Sequence, residues 1–281
     1  MVIVPSRSGR LGNRLQLSAY ASAVALECGA TASLLCLGAY RSLFAGSHAD
    51  ALCRLPPHRP SWRTRFARWW LALASRLLPG LSARRQPGRI LEEPATLARI
   101  ARAQNLVLRG YYFYAPELLR KHAPTIRRYF QLASPHAGRV AQFLSRARTR
   151  AERIVGVHVR HGDYASYRGG EHYFPITEYT NLMRQLRALL APATVHFVVC
   201  SDVSHSGGAF GDLSWEPGPG SAVEDLYSLA GCDYVMGPCS TFNRWSAFVG
   251  NVPRYEIRDA SKRITLDDFA PPADLTIPTT P

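Results

Sequence analysis

The stretch that most constrains this chain is residues 154–163, IVGVHVRHGD. Small and apolar residues run into His158, Val159 and Arg160, and the run breaks at His161, Gly162 and Asp163. Such a run predicts a strand buried on both faces of a parallel sheet. Sheets of that kind bind their ligands beyond the carboxyl ends of the strands. His158 and Arg160, two residues apart, share one face of the strand. Arg160 can fork two hydrogen bonds onto a phosphate, and Gly162 lets backbone approach a ligand closely. The same residues also suit an ordinary strand end with a surface Arg.

With 281 residues, 47% of them hydrophobic, the chain can build one large domain or two ordinary ones. A formal charge of +14 and a pI near 10.0 suit an anionic partner: a nucleotide, a membrane surface or nucleic acid. Lys occurs only at Lys121 and Lys262, and coding bias toward Arg gives the same skew. Six cysteines show neither a CxxC pair nor zinc spacing, so they read as core filler in a reducing compartment. The first ten residues hold too short an apolar run for a signal peptide, and no stretch is long enough to span a bilayer. A cytoplasmic protein is expected, with peripheral contact at the inner membrane face as a further option.

In chain order, residues 2–4 predict a strand, 6–13 a Gly-bearing turn, 15–27 a helix and 32–37 a second strand. Gly12 and Asn13 sit in that turn, where Asn can both donate and accept hydrogen bonds. Residues 52–88 interrupt the pattern with prolines and a stripe of Trp62, Phe66, Trp69, Leu73 and Leu77, flanked by arginines. The stripe suits core packing or a membrane interface. Residues 90–104 predict a helix, 106–114 a strand ending in Tyr111, Tyr112, Phe113 and Tyr114, and 115–130 another helix. That aromatic cluster can stack on a sugar or belong to the core. The Arg-rich helix near 137–152 reads as a connector.

Beyond the central strand, helices are expected at 176–190, 222–230 and 243–249, strands at 194–200 and 234–236, and loops at 164–174 and 207–220. Each strand here ends in a polar cluster, which reads as a Rossmann-like nucleotide-binding half without a GxGxxG loop. The expected domains are 1–135, with the insertion at about 52–88; a linker helix at 136–150; 151–258; and a tail at 259–281.

Five blocks in one order carry a family resemblance. Residues 9–21 (GRLGNRLQLSAYA), 109–130 (RGYYFYAPELLRKHAPTIRRYF), 158–163 (HVRHGD), 200–202 (CSD) and 224–248 (EDLYSLAGCDYVMGPCSTFNRWSAF) together resemble the inverting fucosyltransferases. They are most similar to the bacterial and animal α-1,2-fucosyltransferase family, glycosyltransferase family 11. The resemblance implies an α/β GT-B fold of two facing Rossmann-like domains with parallel sheets. It also implies GDP-fucose as donor, inversion, no metal cofactor, and a glycan or lipid-linked glycan acceptor. Carried over, Arg160 would grip the diphosphate with Ser240 and Thr241, and Phe242 would join the donor site. His158 and Asp163 would shape the loop, and Asp202 and Asp225 would lie near the nucleotide or brace Arg160. Gly12, Asn13 and Arg14 would face fucose and acceptor.

The chemistry agrees with that assignment. A departing diphosphate needs fixed positive charge, and a bidentate Arg with a helix amino terminus can supply it. No DxD motif stands in an obvious loop. Glu171, before FPITEY at 174–179, is the candidate base on the resemblance, with Asp163 and His161 as alternatives. The chain departs from the family at Arg14, at 16–18, at His161, and at Asn243 and Arg244. Rival readings are another GDP-sugar transferase, a silent homologue and a basic nucleic-acid-binding protein. Nucleic acid is not expected, since it predicts a continuous basic face.

Overall fold

Two five-stranded parallel sheets carry the fold in a computed structural model that describes residues 1–5, 9–48, 53–54, 70, 73, 77, 80–83, 89–102, 106–110 and 112–271. The chain parts into two units between Ser134 and Pro135.

In the first unit the strands are β1 (Val2–Ile3), β2 (Ala32–Ser33), β3 (Cys53–Arg54), β4 (Gly80–Ala83) and β6 (Leu106–Gly110), ordered β3-β2-β1-β6-β4. β5 (Arg89–Ile90) and β7 (Phe113–Tyr114) form a separate parallel pair. The helices are α1 (Leu11–Glu27), α2 (Pro94–Arg102) and α3 (Pro116–Tyr129). Alanines and serines at every turn let α1 sink almost wholly into the unit, with Leu11, Leu15, Ala19 and Ala23 buried. Its end is tied to α3 where Glu27 accepts from Lys121 and pairs with His122.

Three expectations need correction here. α1 starts at Leu11 rather than 15, because Leu11 and Leu15, one turn apart, bury together; Gly12 and Asn13 therefore lie on a helix and not in a turn, with Arg14 beside them. The strand expected at 32–37 stops at Ser33, and a 3-10 stretch from Leu35 to Leu43 follows, bent at Gly38, where φ is 52°. The strand at 106–114 is broken at Gly110, where φ is 117°. Of the aromatics that follow, Phe113 is buried, Tyr114 meets Tyr20 edge-on, and Tyr111 lies outside the described residues. Trp62, Phe66 and Trp69 of the 52–88 stripe also lie outside them.

The second unit contains α4 (His136–Arg148), β8 (Arg153–Val159), α5 (Ile176–Leu189), β9 (Val195–Ser201), β10 (Trp215–Pro217), α6 (Ala222–Ala230), β11 (Tyr234–Pro238), α7 (Thr241–Gly250) and β12 (Arg254–Ile257). The sheet order is β10-β9-β8-β11-β12. β8 is central, and alternation sends its residues to two cores. Val155, Val157 and Val159 pack with Leu182, Met183 and Leu186 of α5. Ile154 packs with Phe143 and Ala147 of α4 and with Leu229. Each such side chain contributes about 1.5–3 kcal/mol when fully buried. Gly156 leaves room in this layer, since a Cβ there would stand 2.7 Å from the Leu229 side chain and displace it.

The helix expected as a linker thus belongs to this unit, because Val140, Phe143 and Ala147 bury against it. The loop expected at 207–220 contains β10, and the segment expected as a tail packs Ile264 and Phe269 into the core. Among the described residues no helix is long and apolar enough to cross a membrane.

Candidate functional site at the carboxyl ends of β8, β9 and β11

The chain runs from β8 outward to β9 and β10, then returns to β11 on the other side of β8. The order reverses between β8 and β11, and a crevice beyond the strand ends is expected there. Met236 pairs with Val157, and Val159 with Ser201, so three strand ends finish side by side.

Arg160 leaves β8 at this point, with its side chain 17% exposed. Two carboxylates hold it. Its Nε donates to Asp163 Oδ1 at 2.8 Å and stands 3.2 Å from Asp202 Oδ2, while its Nη2 lies 2.7 Å from Asp163 Oδ1. Asp202, at the end of β9, also accepts the backbone amides of His161 at 2.9 Å and Gly162 at 3.1 Å. One carboxylate therefore fixes both the loop and the guanidinium, through charge-assisted bonds of the stronger class. A side chain at Gly162 would disturb this contact, as a Cβ there would meet Asp202 Oδ2 at 2.7 Å.

Ser240 caps α7, its Oγ accepting from the Phe242 amide at 3.1 Å. The positive end of that helix dipole thereby lies at the end of β11. Tyr164 ties the two strand ends together. Its ring centroid is 5.7 Å from the Arg160 guanidinium, and its hydroxyl donates to the Cys239 carbonyl at 3.0 Å. Burial pushes the Tyr164 phenol up to about 12, against a hydrogen bond with Ser240 that lowers it. Sequence reasoning passed Tyr164 over; its place one turn past Arg160 was the available signal.

His158 stacks on Phe242 at 4.8 Å between β8 and α7. Burial depresses its pKa to about 4, although Asp202 works in the other direction, so the ring is neutral at pH 7. Its Nδ1 and the Oδ1 of Asn243 are both buried without a hydrogen-bond partner. Asn243 Nδ2 donates to the Pro238 carbonyl. Arg244 turns inward to Glu256 at 2.7 Å, and Arg254 reaches the same oxygen at 2.6 Å. Burial works against the charge on Glu256, but the two guanidinium groups outweigh it and hold the carboxyl below its usual range. Asn243 and Arg244 are thus structural supports beneath the helix start.

Asp225 stands in the first turn of α6. It is buried at the start of α6, where Oδ1 accepts the Gly220 amide at 2.7 Å, and burial raises its pKa to about 6. Its neighbour Glu224 is held by His136 and Arg139. Glu171 is exposed and pairs with its sequence neighbours Arg168 at 3.1 Å and His172 at 3.2 Å. His161 is taken up by the loop itself, bonded to the Phe174 carbonyl and tilted against Tyr173. Arg160, Asp163, Asp202, Ser240 and Phe242 are brought together around Tyr164 and His158, with Thr241 opening α7 beside them.

In the first unit Arg14 donates to the Gly9 carbonyl at 3.0 Å and lies over Tyr40. Asn13 packs so tightly over Gly9, whose φ is +76°, that a Cβ there would stand 2.2 Å from its amide nitrogen. Gln16 and Ser18 are buried in α1 and bond to Tyr20 and Cys36. Among the described residues no three His, Cys, Asp or Glu side chains group as a metal site would need.

No family model and no curated protein matches this chain. Solved structures do resemble it. NodZ fucosyltransferase from Bradyrhizobium superposes with a TM-score of 0.60 at 22% identity, over 91% of this chain and 94% of that one. An Arabidopsis thaliana FUT1 mutant in complex with GDP gives 0.57 at 13% identity, over 92% and 71%. POFUT1 in complex with GDP-fucose gives 0.56 at 13% identity, over 92% and 95%. The chain accordingly has the α/β GT-B fold, with a parallel sheet in each unit.

Proposed function

We propose that this chain is an inverting, metal-independent glycosyltransferase that moves L-fucose from GDP-fucose to a sugar hydroxyl, O2 of galactose, on a glycan or lipid-linked glycan. The observation that carries the reading is that Arg160 and the Ser240-capped start of α7, both at the switch point of the sheet, are bridged by Tyr164. Its support from outside the chain is the fold shared with NodZ, FUT1 and POFUT1, all three solved with GDP-fucose or GDP.

In the proposed reaction the acceptor oxygen attacks the anomeric carbon of fucose on the face opposite the diphosphate. The bond from that carbon to the β-phosphate oxygen breaks, and its electron pair leaves with GDP. Arg160 and the amino end of α7, with Ser240, Thr241 and Phe242, stabilise the charge that develops there. Both are held in place before the reaction, Arg160 by Asp163 and Asp202 and the helix start by its cap, so little reorganisation accompanies the step. Neutral His158 shapes the strand end, and buried Asp225 serves the nucleotide side. Glu171 takes the acceptor proton, with Asp163 as the second carboxylate in reach of the same loop. Gly12, Asn13 and Arg14 are assigned to the acceptor.

The test is a transfer assay in EDTA, with GDP-fucose, GDP-mannose and UDP-glucose as donors and acceptors offering O2 or O6. GDP release from GDP-fucose alone, with a product of inverted anomeric configuration, is the expected result. Retention of configuration, or turnover that appears only with added magnesium or manganese, overturns the mechanism.

A further inference from the structure

Toward the amino ends of β9 and β10 a serine, a histidine and a glutamate stand in line. His196 is the second residue of β9 and Ser201 its last, so the group lies roughly 16 Å from the strand end that carries the proposed diphosphate site. His196 Nδ1 is 2.7 Å from the Ser214 hydroxyl, and its Nε2 is 3.2 Å from Glu216 Oε1. Arg150 Nε stands behind that oxygen at 3.8 Å. A carboxylate beside Nε2 favours the tautomer with its proton there, which leaves Nδ1 to accept the proton of Ser214.

Exposure follows the same order. Ser214 is open to solvent, whereas the side chain of His196 is 1% exposed and that of Glu216 17%. A hydroxyl therefore faces solvent while the base behind it is shielded. Burial pushes the His196 pKa down against the pull of Glu216, so the ring is neutral at pH 7. A histidine buried only to support the sheet would be satisfied as well by a buried hydroxyl, and that role leaves the exposed serine unexplained.

An oxyanion donor stands beside Ser214. The Phe197 amide donates to the Ser214 carbonyl at 2.9 Å, and Trp215 pairs with Phe197. In a parallel ladder the residues on either side of Trp215 turn their peptide groups to β9, so the Trp215 N–H points to the open edge. Among the described residues no strand pairs beyond β10. Ser214 and the amide that follows it thus share one edge, as nucleophile and oxyanion donor do in the α/β-hydrolases.

We propose that Ser214 is the nucleophile of a second active site that takes acyl groups from esters, with His196 as its base and Glu216 positioning that base. Ser214 Oγ bonds to the ester carbonyl carbon while its proton passes to His196 Nδ1, and the Trp215 N–H donates to the carbonyl oxygen. The bond from that carbon to the alcohol oxygen then breaks, and the alcohol leaves with the electron pair and the proton from His196. Water releases the acyl group from Ser214 as a carboxylic acid, with the same histidine as base. No residue of the proposed diphosphate site takes part, so the two readings fail separately.

The experiment treats the full chain with a fluorophosphonate, which bonds serine Oγ to phosphorus and expels fluoride, and maps the label by peptide mass spectrometry. Ser214 should label about a hundredfold or more faster than the other exposed serines, within the range of general-base catalysis. Ser214→Ala should abolish that label and the hydrolysis of p-nitrophenyl acetate, with the thermal transition and GDP binding as in wild type, because the side chain is exposed. Glu216→Gln should slow labelling about tenfold or more, and the imidazole nitrogen shifts of His196 should lose the Nε2–H pattern of wild type. Labelling of Ser214 no faster than that of other serines, hydrolysis that survives Ser214→Ala, or a wild-type labelling rate in a folded Glu216→Gln variant overturns the proposal.

Discussion

The two units treat charge in opposite ways. In the second unit cations and carboxylates are nearly matched, and they pair as joints of the fold: Arg160 with Asp163 and Asp202, Arg139 with Glu224, Arg244 and Arg254 with Glu256, Arg184 and Arg187 with Asp212. In the first unit the described carboxylates meet only a few of the cations, as Glu27 does Lys121 and Glu117 does Arg120. The difference teaches that net charge is a poor guide to where a bound anion sits. A site that must hold a diphosphate in one geometry fixes each guanidinium with a carboxylate, and such pairing cancels in the sum.

The comparison breaks first at Glu256. If the second unit's charges are joints, Glu256→Gln leaves Arg244 and Arg254 buried without their counter-charge and should cost about 3–5 kcal/mol, read by urea unfolding. A loss under about 1 kcal/mol would place these arginines among surface pairs of little worth. The next effect is at Asp202. Asp202→Ala frees the His161 and Gly162 amides and one brace of Arg160, each a bond of about 1.5–3 kcal/mol. GDP affinity should fall about tenfold or more, and stability should fall by less than for Glu256→Gln, because water reaches the freed amides and offsets part of the lost bonds.

Acid titration sharpens the comparison. Asp225, raised to about 6 from 3.8, contributes stability that is full below pH 3.8 and lost as pH rises to about 6. His158, lowered to about 4 from 6.5, contributes stability present above pH 6.5 and lost as pH falls to about 4. The two slopes oppose each other between pH 4 and 6. Asp225→Asn should therefore raise stability at pH 7 and expose a steeper decline on acidification from 6.5 to 4, followed by thermal scans across pH. A wild-type profile that Asp225→Asn leaves unchanged would contradict the assignment. The smallest effect belongs to the first unit, where exposed Arg128→Gln should change stability by less than about 0.5 kcal/mol.

Much of the second unit was legible because its signals are local. The apolar run at β8 and the polar residues at the ends of β8, β9 and β11 follow from patterns a few residues long, whereas α7, expected from 243, starts at Thr241 on a Ser240 cap. What escaped depends on contacts between distant segments. Tyr164 matters because Cys239 and Ser240 lie under its hydroxyl, and Gly162 because Asp202 occupies the space of a Cβ. β10 and β12 are short strands that pair only because β9 and β11 stand beside them. In the first unit, two-residue strands carry almost no periodicity, and the polar Asn13 and Arg14 in the first turn of α1 hid its start at Leu11, whereas its end at Glu27 was legible.

The account stands on Arg160 as the diphosphate ligand, and calorimetric titration of GDP into wild type and Arg160→Ala, without divalent metal, tests it most directly. The expected result is metal-free binding to wild type that weakens about a hundredfold in the variant, as loss of a bidentate charged contact implies. Equal binding by both proteins, or wild-type binding only after magnesium or manganese is added, would contradict it.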